Sequence, residues 1–209
     1  MADAPLIGVL ALQGGFQAHE RMLRGPGADV REVRTPADLD GIDGLVIPGG
    51  ESTTMTLGIA REGLREPLRE MVTGGVPVLG SCAGLIMLDR AHLALMDIRA
   101  ERNAFGRQIS SFETDVQLRG GDWNPAHPIR GIFIRAPWIA EHGPDVEILA
   151  EVDGHPVAAR QEGMLAVAFH AELTEDDRIH RLFLDHARVF ASEHRRGRRV
   201  EAGADGREG

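Results

Sequence analysis

Three short apolar runs in the first half of the chain each end abruptly at glycine, and this punctuation constrains the fold more than any other feature. Leu6-Ile7-Gly8-Val9-Leu10-Ala11-Leu12 stops at Gln13-Gly14-Gly15, Leu45-Val46-Ile47 at Pro48-Gly49-Gly50, and Val76-Pro77-Val78-Leu79 at Gly80. Short runs with apolar side chains at consecutive positions read as strands buried on both faces, the condition of a parallel sheet. Val30 to Val33 adds a further strand, and helical stretches lie between the runs, over about Phe16 to Arg24, Leu57 to Thr73 and Leu85 to Leu88. This alternation predicts an α/β fold with an open, mostly parallel sheet and helices on both faces.

The middle of the chain differs in character. Phe112 to Leu118, Gly131 to Arg135, Val146 to Glu151, Val157 to Arg160 and Met164 to Phe169 are short strand-like runs. Gly154-His155-Pro156 and Gln161-Glu162-Gly163 look like hairpin turns between them, so a small antiparallel patch is expected on the parallel core. Thr174, with Asp177 three residues later, has the form of a helix N-cap ahead of Ile179, Leu182, Phe183, His186 and Phe190 at helical spacing. The 209 residues fit one α/β domain, with neither an internal repeat nor a linker, and its expected extent is residues 1–192. The basic run from His194 to Arg199 sits in a Gly- and Glu-rich tail, and residues 193–209 read as disordered. A net charge of −9 argues against a general electrostatic grip on nucleic acid. No apolar stretch reaches the roughly 18 residues that span a bilayer, and the first residues carry no targeting pattern, so a cytoplasmic location is expected.

The chain has one cysteine, Cys82, which excludes an intramolecular disulfide and a multi-cysteine metal site. Cys82 follows a strand, opens a helix and is flanked as Gly80-Ser81-Cys82-Ala83-Gly84. That is a nucleophile elbow with sulfur in place of the usual hydroxyl: the turn lifts the side chain above the sheet, and the helix N-terminus places free N–H groups near it. A thiol nucleophile needs a proton carrier, and among nine histidines His170 stands out. His180, His186 and His194 fall on or just beyond the C-terminal helix, and His127, His142 and His155 in loops. His170 instead ends an apolar run and has Glu172 two residues on, so a carboxylate can orient the imidazole. Pro48-Gly49-Gly50-Glu51-Ser52 lacks both the Walker lysine and the dinucleotide glycine pattern. Backbone N–H groups of Gly50 and Ala83 suit an oxyanion hole better than a phosphate cradle.

Gly80-Ser81-Cys82-Ala83-Gly84 together with Phe169-His170-Ala171-Glu172-Leu173-Thr174 resembles the class I glutamine amidotransferases. More narrowly, Glu101-Arg102-Asn103-Ala104-Phe105-Gly106-Arg107-Gln108 and Phe133-Ile134-Arg135-Ala136-Pro137 are similar to strings in the glutaminase subunits of pyridoxal phosphate (vitamin B6) synthase. The resemblance implies a three-layer α/β domain and a Cys82–His170–Glu172 triad that hydrolyses L-glutamine to glutamate and ammonia, with no cofactor and no metal. It implies that Gly50, Glu51, Ser52, Arg102, Ile134 and Arg135 hold the glutamine. An arginine is a natural partner for its α-carboxylate. It further implies a partner, a (β/α)8-barrel synthase subunit that receives the ammonia, with Gln13 near the interface.

The chain departs from the family pattern in three places. Ser81 stands where the elbow usually has threonine, Ala171 stands where proline separates the histidine from the glutamate, and the stretch from Leu88 to Met96 is shorter than usual. None of these removes a catalytic group. The rival readings are a glutaminase serving a different synthase, a non-catalytic regulatory subunit of the same fold, and an unrelated cysteine hydrolase.

Overall fold

A computed structural model describes residues 4–102, 104, 111–120 and 127–205, with side chains to residue 194. The first half builds strands β1 (Leu6–Leu10), β2 (Asp29–Val33), β3 (Gly44–Ile47) and β4 (Val78–Ser81) and helices α1 (Phe16–Arg24), α2 (Ser52–Arg61), α3 (Arg65–Thr73) and α4 (Ala83–Leu88). The second half supplies β5 (Ile98–Glu101), β6 (Ser111–Val116), β7 (Ile129–Ile134), β8 (Trp138–His142), β9 (Glu147–Val152), β10 (His155–Gln161), β11 (Met164–Val167) and the long helix α5 (Arg178–Asp205).

The main sheet has seven strands in the order β2-β1-β3-β4-β11-β10-β9. The first five are mutually parallel, and β10 and β9 extend the sheet antiparallel. Every residue of β3, β4 and β11 is buried, as the unbroken apolar runs require. Helices cover both faces. Gly44 of β3 faces Phe183 and Ala187 of α5, while Ile47, three positions along the same strand, lies against Gly84 of α4. Alternation along a strand puts those two contacts on opposite sides of the sheet.

The expected antiparallel patch divides into three parts. The β9–β10 pair joins the main sheet through β11, and its two strands are connected by a two-residue turn, Asp153 and Gly154, both at positive φ (51° and 76°) as a hairpin matched to strand twist demands. The β6–β7 and β5–β8 pairs form two separate two-stranded sheets. Neither β5 nor β8 shows in the apolar pattern, because both are short and half polar; Arg99 and Glu141 face each other across them at 2.9 Å.

Several boundaries differ from the pattern for physical reasons. β4 begins at Val78 rather than 76 and runs through Gly80 and Ser81, where β3 and β11 pair with it on either side. The helical stretch expected over 57–73 is two helices, and the first starts at Ser52 because the Glu51 carboxylate accepts the N–H groups of Thr53 and Thr54. Thr174 is not the N-cap of the last helix. Its hydroxyl accepts from the N–H of Asp176, and α5 opens at Arg178, with the Asp177 carbonyl taking the N–H of Arg181. The helix continues to Asp205, past residue 192 where the sequence pattern ends the domain. His142 and His155 lie in strands rather than loops. The shortened stretch after α4 is tied down: buried Asp89 accepts from the N–H groups of Ala91, His92 and Ala100, and Leu93 and Met96 join the core. Among the described residues no helix is long and apolar enough to cross a membrane.

Candidate active site

The carboxyl ends of β3, β4 and β11 meet at one edge of the sheet, where ligands bind in open α/β folds. The β4 ladder holds up to the end: the N–H of Cys82 donates to the Val167 carbonyl at 2.8 Å. Cys82 itself turns to φ 50° and ψ −103°, a region that costs a non-glycine residue about 1–3 kcal/mol and is kept only where the surroundings enforce it. Two glycines do the enforcing by allowing α4 to cross the sheet closely. A methyl on Gly84 would run into the Ile47 carbonyl oxygen, and one on Gly80 would lie 2.7 Å from the Gly84 carbonyl oxygen and from Leu88. The collision at Gly84 is against a backbone carbonyl, so it meets no flexible side chain that could yield. Gly84→Ala is therefore expected to lower the unfolding free energy by about 3 kcal/mol, read from the urea midpoint, and to depress activity with it.

Beyond β11 the chain stays buried through Ala168 and Phe169, and the N–H of His170 donates to the Ile132 carbonyl of β7 at 2.8 Å. A single 3-10 turn, Ala171–Leu173, then folds Glu172 back under the histidine. His170 Nδ1 and Glu172 Oε1 are 2.7 Å apart, with the carboxylate almost wholly buried. The Cys82 side chain stands near enough to the same ring to raise its affinity for a proton. Gly49 leaves room for this pair: a methyl there would lie 2.5 Å from His170 Cε1 and 3.3 Å from Cys82 Cβ. Alanine at residue 171 holds the turn without proline's ring, and Ser81 keeps the hydroxyl that matters, since its Oγ lies 3.1 Å from Glu172 Oε2.

The charges follow from these contacts. Burial disfavours a charged imidazole, but the neighbouring Cys82 and the bonded Glu172 carboxylate together outweigh it and raise His170 to about 10. Burial would likewise push Glu172 up, yet its bond to His170 and the neighbouring histidines hold it at about 2. The resting pair is imidazolium and carboxylate.

A cavity of about 290 Å³ opens over the sulfur. Cys82, Ala83 and His170 line it, as do Gly50, Glu51 and Ser52. Arg102, Ile134 and Arg135 border the same space. Every residue assigned to glutamine by resemblance thus borders the same space. Arg102 reaches Glu51 Oε1 at 3.2 Å and Thr53 Oγ1 at 3.4 Å, so one rim carries a guanidinium beside a carboxylate. Glu51 is held at about 2 by the hydroxyl and N–H of Thr54 and the N–H of Thr53, and stays ionised. Arg135 takes φ 44°, which turns the backbone inward, and the Ile134 carbonyl sits 4.0 Å from the sulfur. Gln13 does not border the cavity. Its side-chain amide clasps the backbone of Glu51, accepting from the N–H at 3.1 Å and donating to the carbonyl at 3.0 Å, which fixes the Gly50-Glu51 loop. The string from Asn103 to Gln108 lies, Ala104 apart, outside the described residues.

Sequence patterns did not single out Ile86 and Pro137, which also border the cavity, or His19, whose ring meets Glu172 from behind. The only signal for His19 was an unexplained polar residue on the buried side of α1.

The model of the SNO glutamine amidotransferase family matches residues 9–189. The chain belongs to that family. Relatives within reach of this SNO glutamine amidotransferase are named pyridoxal 5'-phosphate synthase subunit PdxT. The one from Mycolicibacterium vanbaalenii is 49% identical over 194 residues, covering 87% of this chain and 97% of the relative. The one from Parafrankia is 50% identical over 192 residues, covering 88% and 93%. A solved glutamine amidotransferase superposes with a TM-score of 0.80 at 41% identity, covering 87% of this chain and 98% of the other. A solved PurLQS assembly from Thermotoga maritima contains a chain with TM-score 0.67 at 15% identity over 90% of this chain and 97% of that one, a likeness of fold alone.

Proposed function

We propose that this SNO glutamine amidotransferase is the glutaminase subunit of a pyridoxal 5'-phosphate synthase, and that Cys82, His170 and Glu172 are its catalytic triad. The observation that carries the reading is that Cys82 and His170 border one cavity sized for a small amino acid, with Glu172 Oε1 2.7 Å beyond His170 Nδ1.

The chemistry runs as follows. Cys82 attacks the side-chain carboxamide carbon of glutamine as the thiolate. The oxyanion is met by the N–H groups of Gly50 and Ala83. The C–N bond breaks as imidazolium His170 gives its proton to the departing nitrogen, which leaves as ammonia. A γ-glutamyl thioester and a neutral His170 remain. Water then attacks the thioester while His170 takes back a proton, and the C–S bond breaks to release glutamate and restore the ion pair. Glu172 fixes the ring and its charge throughout. Arg102 takes the substrate's α-carboxylate, and Glu51 answers its ammonium. The finer assignment of the partner is a (β/α)8-barrel synthase subunit that receives the ammonia and docks near Gln13. The lone free cysteine suits the reducing cytoplasm.

Mixing the purified chain with a vitamin B6 synthase barrel and measuring glutamate release tests this reading. Release from glutamine that rises at least about 10-fold when the barrel is added is the expected result. Release that stays at background with the barrel present would remove the assignment to this synthase.

A further inference from the structure

Behind the proposed triad lies a second pair of imidazoles that the reaction as described does not use. His19 on α1 and His180 on α5 are both fully buried. His19 Nδ1 and His180 Nε2 are 2.9 Å apart, and His19 Nε2 points at Glu172 Oε2 from 3.3 Å, the oxygen opposite the one that holds His170. Four side chains, His170, Glu172, His19 and His180, therefore approach one another in succession from the cavity to α5.

Glu172 is an anion and can only accept, so the neighbouring Nε2 of His19 must carry a hydrogen; a bare lone pair there would face a second lone pair at a buried position. Burial lowers His19's affinity for a second proton, outweighing the attraction of Glu172, and lowers His180 to about 3. Neutral His19 with its hydrogen on Nε2 has an acceptor at Nδ1, which then requires His180 to donate from Nε2. The titratable groups facing the pair are Glu172 and His170 from the turn after β11 and Asp177 at the head of α5. The 3.3 Å approach falls short of hydrogen-bond geometry, and His19 Nε2 has no other partner. The donor is thus in reserve. It matters most when His170 has given up its proton, because Glu172 then loses the cation that balanced it and keeps only Ser81 and His19 on its second oxygen.

We propose that His19 is a positioning residue that holds the Glu172 carboxylate from behind as a neutral Nε2–H donor, in the tautomer that His180 selects. The proposal rests on the glutaminase reading, and its test separates the two.

Glutaminase kinetics would be measured with the synthase barrel present for the unmodified protein, His19→Phe and His19→Gln. A phenylalanine fills the space without a donor, whereas the glutamine amide offers an N–H that cannot titrate. His19→Phe is expected to lose roughly 10- to 100-fold in kcat, with KM for glutamine within about twofold and the alkaline limb of the pH profile moved to higher pH, because the uncompensated carboxylate then holds the His170 proton more tightly. His19→Gln is expected to recover most of kcat and the original limb. If the two variants are impaired equally, or His19→Phe keeps full kcat and an unmoved limb, the proposal is overturned. Nitrogen NMR of the unmodified protein labelled at histidine gives a second readout that needs neither variant nor activity. A neutral His19 protonated at Nε2 supports the proposal, and one protonated at Nδ1 overturns it. An unmodified protein that never releases glutamate would instead remove the glutaminase reading while leaving the tautomer result to stand.

Discussion

Cys82→Ala is expected to abolish glutamine hydrolysis, a loss of at least about 10⁴-fold in kcat, without unfolding the protein. The loss should be near total because, among the described residues that line the cavity, no other group is both nucleophilic and activated. Ser52 also borders the space, but a hydroxyl without a base is a poor nucleophile at neutral pH. The fold should survive because the elbow is set by its neighbours. The Cys82 N–H still reaches the Val167 carbonyl, and Gly80 and Gly84 still let α4 cross against Ile47. Alanine keeps the same strain at φ 50°, so the urea midpoint should move little. A glutamine-like electrophile should label the unmodified chain once and the variant not at all, read by intact mass. Hydrolysis that persists in Cys82→Ala at the unmodified rate would end the thioester mechanism.

The elbow was legible in the sequence because its requirements are local. A strand, two glycines and a helix start fall within a few residues, and each glycine answers a backbone contact that no other residue could make. His170 and Glu172 were legible for a similar reason: one 3-10 turn brings positions 170 and 172 together whatever the rest of the chain does. What escaped the sequence depends on distant packing. His19 and His180 are 161 positions apart, and nothing in either helix pattern says that α1 and α5 share a face of the sheet. The two-stranded β5–β8 sheet escaped because its strands are held by ion pairs and by the turn that Asp89 organises, neither of which leaves an apolar signature. The role of Gln13 was placed by resemblance near a partner, and the structure adds a function within the chain, since the same amide steadies the loop that carries Gly50. Residues that line the cavity from β7 and the stretch after β5 were found only through family strings, because short range spacing cannot bring positions 102 and 135 beside position 82.

Glu172→Gln should cost roughly 10³-fold in kcat and move the alkaline limb of the pH–activity profile down by about 1–3 units. His170 owes its value of about 10 to Cys82 and Glu172 acting against burial. Removing the carboxylate's charge takes away one of the two stabilisers of the imidazolium, so the ring loses its proton at lower pH. The amide can also turn its NH2 toward Nδ1 and select the wrong tautomer, which is why kcat suffers well below the new limb. The same linkage governs stability. His170 is raised from 6.5, so its contribution is full below pH 6.5 and is lost as pH rises through about 10. Glu172 is lowered from 4.5, so its contribution is full above pH 4.5 and is lost as pH falls toward about 2. Both are complete only between pH 4.5 and 6.5, while buried His180, lowered from 6.5 to about 3, adds a loss as pH falls below 6.5, so urea midpoints of the unmodified protein should decline on either side of about pH 6.5. In Glu172→Gln the acid decline should shrink and the alkaline decline should begin from a smaller gain. A variant whose alkaline limb coincides with that of the unmodified enzyme would show that Glu172 does not set the charge of His170, and would leave the carboxylate with a purely structural place in the turn.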